Sequence, residues 1–153
     1  MINMSRWSIL PLCLVCSLAA FADGNTDVEF LADSASATQK LPFSEAVRAG
    51  NLLFLSGQIG LVPGTMELTP GGIQPETRQT LQNIKATLEK YDSSMSRVIK
   101  CTVFLADIAE WAAMNEVYLE FFPDQLPARS ALGTSGLALG ARTEIECIAA
   151  LSP

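Results

Sequence analysis

The segment Pro75-Glu-Thr-Arg-Gln-Thr-Leu-Gln-Asn-Ile-Lys-Ala-Thr-Leu-Glu-Lys-Tyr91, followed by Val98-Ile-Lys-Cys-Thr-Val-Phe-Leu-Ala106, decides the fold. In its first part Thr77, Leu81, Ile84, Leu88 and Tyr91 recur at steps of three and four, while Glu76, Arg78, Gln82, Lys85 and Glu89 fall elsewhere. That spacing predicts an amphipathic helix with one buried stripe. Pro70-Gly71-Gly72 breaks the chain before it, and Pro75 stands where a missing N–H costs least. The second part is β-branched and apolar, the pattern of a buried strand.

Upstream, the apolar runs Ser44 to Arg48 and Leu52 to Ser56 flank Ala49-Gly50-Asn51, whose Gly and Asn tolerate positive φ, so a β-hairpin is expected. Val62-Pro63-Gly64-Thr65 reads as a second turn. Downstream, Asp107-Ile-Ala-Glu110 has the form of a capping box for a second helix, Ile108 to Phe122, which Pro123 ends. Pro127-Ala-Arg129-Ser130 leads into a run punctuated by Gly133, Gly136 and Gly140, and then into a last strand, Arg142 to Leu151. The order is β-hairpin, α, β, α, β, β, with no internal repeat. Two helices against one mixed sheet make an α+β layer, whose other face needs a cover. Self-association is the cheapest one.

The chain has 153 residues, 49% hydrophobic and 17% charged, which suits a single domain with a modest core. It has no histidine. That removes the usual neutral-pH proton shuttle, the Ser-His-Asp and Cys-His nucleophile systems, and most mixed-ligand zinc sites. Chemistry must then run on Arg, Glu or Asp, hydroxyls, backbone groups or thiols. The formal charge of −6, with the acids dispersed, argues against a nucleic-acid partner.

Residues 1–22 have the layout of an export signal: Arg6, then an uncharged, mostly apolar stretch from Trp7, ending in Ala20-Phe21-Ala22 before a cut. The other reading is an uncleaved anchor, against which stand the short apolar run and Pro11. A cut after Ala22 predicts a periplasmic or secreted protein with no membrane attachment, carrying nine cations against sixteen acids, a balance of −7. The loose segment 23–40 contains one apolar patch, Val28 to Leu31, expected as a short edge strand, and the folded domain is expected over 41–153. Cys13 and Cys16 leave with the signal. Cys101 and Cys147 remain, and their β-like surroundings favour two buried thiols, with a disulfide as the alternative that export permits.

Six segments, in order, resemble the Rid/YjgF family: Phe54-Leu-Ser-Gly-Gln-Ile59, Thr77-Arg-Gln-Thr-Leu-Gln-Asn-Ile-Lys85, Lys100-Cys-Thr-Val-Phe-Leu105, Met114-Asn-Glu-Val-Tyr118, Pro127-Ala-Arg-Ser130 and Glu144-Ile-Glu-Cys-Ile-Ala149. The likeness covers about Leu41 to Leu151. It implies a chorismate-mutase-like α+β fold, a homotrimer with sites between subunits, and hydrolysis of 2-imino or 2-enamino acids to 2-oxo acids and ammonia. It implies no cofactor and no metal. Carried over by segment, Arg129 grips the substrate carboxylate, Glu144 positions or activates water, and Ser56 and Asn115 line the site. The family's tyrosine over the substrate is Phe43 here, within Lys40-Leu-Pro-Phe-Ser-Glu-Ala46, and Ala131 stands where archetypal members carry Cys. The same likeness sets the last strand beside the one holding Cys101, which would make Cys101 and Cys147 neighbours. Ribonuclease activity, known among relatives, sits poorly with a charge of −7.

The residues themselves agree with those roles. An arginine fork matches a carboxylate bidentately and stays charged at any working pH. Imine hydrolysis asks for a held carboxylate, a placed water and one proton carrier, none of which need be histidine. Three alternatives stay open at this level. Arg129 is structural and paired to a carboxylate such as Glu144; Glu144, sharing a strand face with Glu146, is merely outward; or the protein binds small carboxylates without turnover, Phe43 lacking the phenolic hydroxyl. A holdase acting through exposed apolar surface is a further reading.

Overall fold

A computed structural model gives the protein at residues 27–32 and 41–152; the expected export signal lies outside the described residues. The strands are β1 (Val28–Leu31), β2 (Ala46–Ala49), β3 (Leu52–Leu55), β4 (Gln58–Ile59), β5 (Val98–Leu105), β6 (Ala128–Gly133) and β7 (Thr143–Ala150). The helices are α1 (Ile73–Lys90) and α2 (Trp111–Glu120). The sheet runs β1-β2-β3-β7-β5-β6, with β4 also paired to β7. Only β5 and β6 are parallel, so the sheet is mixed, with the two helices on one face. β1 is the short edge strand expected of the leader. In the hairpin Gly50 takes φ 59°, and at the second turn Thr65 N–H donates to Val62 O at 3.0 Å.

The helix stripe lands where its period put it: Thr77, Leu81, Ile84 and Leu88 are buried against Leu53, Leu55, Val103, Leu105 and Ile145. Glu76 departs from that reading. It was expected away from the stripe, yet it is only 3% exposed. Its carboxylate accepts the backbone N–H groups of Arg142 and Thr143 at 2.7 and 3.2 Å, so the start of α1 is bonded to the start of β7. Gly60 makes this possible, because a Cβ there would lie 2.4 Å from Glu76 Cγ.

α1 begins at Ile73, two residues before Pro75, which still falls among the four orphan N–H positions of a first turn. The capping box is half made. Asp107 accepts from Ala109 N at 2.9 Å, but Glu110 turns to the Arg142 guanidinium, and Ile108–Glu110 is a single 3-10 turn ahead of α2. Arg78 donates to both carboxylate oxygens of Glu120 at 2.5 and 2.8 Å, and Gln74 to Glu116 at 2.6 Å, holding α2 along α1.

β5 is buried on one side only. Cys101, Val103 and Leu105 enter the core, while Lys100, Thr102 and Phe104 lie on the sheet's other face, which no helix of the described residues covers. Phe30, Phe54 and Leu132 are exposed on that face at 72%, 40% and 42%. Cys101 and Cys147 stand directly opposite in the β5–β7 register, and they form a disulfide with sulfurs 2.01 Å apart. The expectation of two free buried thiols is corrected on bonding and holds on burial. Register decides the difference. Closing a loop of 46 residues restricts the unfolded chain by about 4 kcal/mol in the chain-entropy account.

Candidate functional site

Glu144 sits near the start of β7, opposite Phe104 of β5 and Ile59 of β4. Strand alternation buries Ile145 and Cys147 and leaves Glu144 half-buried and Glu146 exposed, both on the face without helices. The Glu144 carboxyl lies against the backbone of Gly57, where a Cβ would come within 2.1 Å of Oε1 and 2.9 Å of the carboxyl carbon. Burial, and secondarily the charge of Glu146, push its pKa above the ordinary 4.5. Next to Gly57, Ser56 Oγ donates to Ser44 O at 2.6 Å and Ser56 N–H to Glu45 O at 3.1 Å. These bonds tie the segment carrying Phe43 to the end of β3. Phe43 itself is 56% exposed.

Arg129 and Ala131 lie on β6, the outermost strand, opposite Cys101 and Val103 and therefore on the helix side of the sheet. The Arg129 guanidinium carbon is 4.6 Å from the Tyr118 ring centroid and 5.8 Å from that of Trp111. Both rings come from α2, and Asn115 lies between them on the same helix face at steps of four and three. Tyr118 is buried, its ring 4.7 Å from that of Phe122, and burial pushes its phenol up to about 12 against the opposing charge of Arg129. Its hydroxyl and Asn115 Oδ1 are buried without a hydrogen-bond partner among the described residues. Among those residues, too, Arg129 makes no ion pair.

The expected site residues therefore form two groups. Phe43, Ser56 and Glu144 make one; Asn115, Arg129 and Ala131 make the other. Arg129 is opposite Cys101 of β5 and Glu144 opposite Phe104 of the same strand. Three residues separate the two by roughly 10 Å along the strand, and two strand spacings by roughly 10 Å across it. The odd step also puts them on opposite faces. The reading in which Arg129 pairs with Glu144 of its own chain is excluded by this register. Among the described residues, no group of three or more His, Cys, Asp or Glu is placed to hold a metal ion.

The family model described as Endoribonuclease L-PSP matches residues 34–151. The chain belongs to this family, that of the Rid/YjgF proteins. A RutC family protein of Pyrococcus horikoshii, PH0854, is 49% identical over 108 residues, covering 71% of this chain and 86% of the relative. The mouse 2-iminobutanoate/2-iminopropanoate deaminase is 39% identical over 112 residues, covering 73% and 83%. Among solved structures, Escherichia coli TdcF with bound serine superposes with a TM-score of 0.69 at 36% identity, covering 73% of this chain and 90% of that one. Three residues of this Rid/YjgF chain were not singled out from sequence: Gly57, Trp111 and Tyr118. For the two aromatics a signal existed, since they flank Asn115 at helical spacing; for Gly57 only the contact with Glu144 identifies it.

Proposed function

We propose that this protein is an exported imine/enamine deaminase that converts 2-imino acids to 2-oxo acids and ammonia. The observation that carries the reading is Arg129: a guanidinium set on aromatic rings, with no carboxylate of its own among the described residues. An unpaired, half-buried cation beside two orphan polar atoms is costly unless a ligand completes it. A substrate carboxylate does so bidentately. The names of the related deaminases support the same chemistry.

Glu144, as carboxylate, takes a proton from water as the oxygen adds to C2 of the imine. The imine reacts as its protonated form, so the C=N π electrons settle on nitrogen and give a neutral carbinolamine with Glu144 as the acid. Glu144 returns its proton to the amine; the C–N bond breaks and ammonia leaves as the hydroxyl proton passes to the Glu144 carboxylate and the C2 carbonyl forms, and that proton departs with the ammonia as ammonium. A raised pKa brings Glu144 nearer the working pH, where one group serves as base and then acid. No metal or cofactor enters.

Because Arg129 and Glu144 cannot meet on one small substrate within a protomer, the proposed site is composite, with Arg129 from one subunit and Glu144 from the next. A homotrimer that sets the edge strand β6 of one subunit against the helix-free sheet face of the next provides it. Export is supported by the leader sequence and by the Cys101–Cys147 disulfide, a bond of oxidising compartments. Phe43 favours a second reading, a trimeric binder of small carboxylates without turnover, since it offers a ring and no hydroxyl.

The test is 2-iminobutanoate generated in situ and supplied to wild type, Arg129→Ala and Phe43→Tyr. Turnover in wild type, reduced at least 100-fold in Arg129→Ala and raised in Phe43→Tyr, is expected from an oriented carboxylate. Equal rates in wild type and Arg129→Ala overturn the deaminase. Thermal stabilisation by 2-oxobutanoate without turnover assigns the binder instead.

A further inference from the structure

Arg129 is oriented by α2 rather than by a counter-ion. Its guanidinium lies over the faces of Tyr118 and Trp111 at 4.6 and 5.8 Å, and an aromatic face attracts the cation while using none of its N–H donors. An acidic partner would occupy those donors. The rings differ in how they are held: Tyr118 is buried and packed on Phe122, whereas Trp111 is 45% exposed at the first position of α2. The Tyr118 hydroxyl and Asn115 Oδ1, on the same helix face, are buried without a hydrogen-bond partner among the described residues, so hydrogen-bonding capacity stands in reserve on the helix that holds the cation.

We infer that Trp111 and Tyr118 are positioning residues: together they form an aromatic platform that fixes the Arg129 guanidinium and leaves its N–H edge free for a substrate carboxylate. Trp111 is the adjustable half, because its exposed ring edge borders the ligand's approach. This rests on Arg129 as the carboxylate anchor. It adds that the strength of that anchor is set from a neighbouring helix, two residues outside the chemistry. Tyr118 stays neutral through the physiological range and so keeps its donor and its ring character.

The chain has two tryptophans, Trp7 and Trp111, so Trp7→Phe leaves Trp111 the sole tryptophan whether or not the expected export signal is cut. In that background, sodium propanoate is expected to change Trp111 emission saturably, and Arg129→Ala to abolish the change. In imine turnover, Trp111→Leu is expected to raise KM between about threefold and thirtyfold, the range of a cation–π contact, with a smaller effect on kcat, and Trp111→Phe to restore most of the loss. Thermal melts check that each variant folds. If Arg129→Ala loses binding while Trp111→Leu keeps the wild-type KM, the platform is overturned and the anchor stands. If Arg129→Ala binds propanoate as wild type does, the anchor itself fails. Should Trp111→Leu not fold, a Trp111 emission blind to propanoate that still stabilises the Trp7→Phe protein overturns the platform.

Discussion

At Glu144 the physics of a single side chain links the proposed activity to stability. Its pKa is raised in the folded protein, so ionisation is disfavoured by folding. Its stabilising share is fully present below the unfolded value near 4.5 and is lost as pH rises through the higher folded value. Glu144→Gln is therefore expected to melt no lower than wild type at pH 7, with any advantage shrinking at pH 4, while turnover is lost. Melting curves at both pH values, run with the imine assay, check both parts; a Glu144→Gln protein clearly less stable at pH 7 contradicts the desolvation account. Of the residues of the proposed site, Arg129, Glu144, Ser56 and Asn115 are singled out by segment pattern. Gly57 is not, because its role is an absence of atoms where the Glu144 carboxyl lies.

Among the elements, the α1–β7 junction depends on Glu76 as well as on apolar contact. Glu76→Ala leaves the N–H groups of Arg142 and Thr143 without their acceptor, which costs roughly 2 to 6 kcal/mol at 1–3 kcal/mol each. Glu76→Gln keeps a carbonyl acceptor and is expected to lose less than half of that. Urea unfolding of the two variants separates these outcomes, and equal losses would mean that the charge, not the acceptor, matters. The helical period placed the apolar stripe of α1 correctly and put Glu76 outside it. Periodicity reads hydrophobicity, and a buried carboxylate is satisfied by partners on another element 66 positions away. The second helix was legible in the same partial way: Asp107 caps its start, but Glu110 is drawn to Arg142, which no local pattern announces.

In the molecule as a whole, a sheet with helices on one side leaves open, among the described residues, a mixed face on which Phe30, Phe54 and Leu132 are exposed. Ile148 lies on that face, in register with Phe54 of β3 and Lys100 of β5. Ile148→Lys adds a charge to the face that the proposed trimer would bury. A shift from trimer to monomer in sedimentation is expected, with turnover lost although Arg129 and Glu144 are intact. A monomeric variant with full activity would refute the composite site.

Sequence by itself determined the helix stripe, the hairpin at Gly50-Asn51, the alternation that turns Glu144 away from Ile145, and the family segments that single out Arg129. Each depends on neighbours a few residues apart. The tertiary structure alone decided that Cys101 and Cys147 are bonded, that Glu76 is buried, and that Arg129 and Glu144 stand on opposite faces. Those facts depend on strand register and order, where one residue of slip reverses a side chain's face.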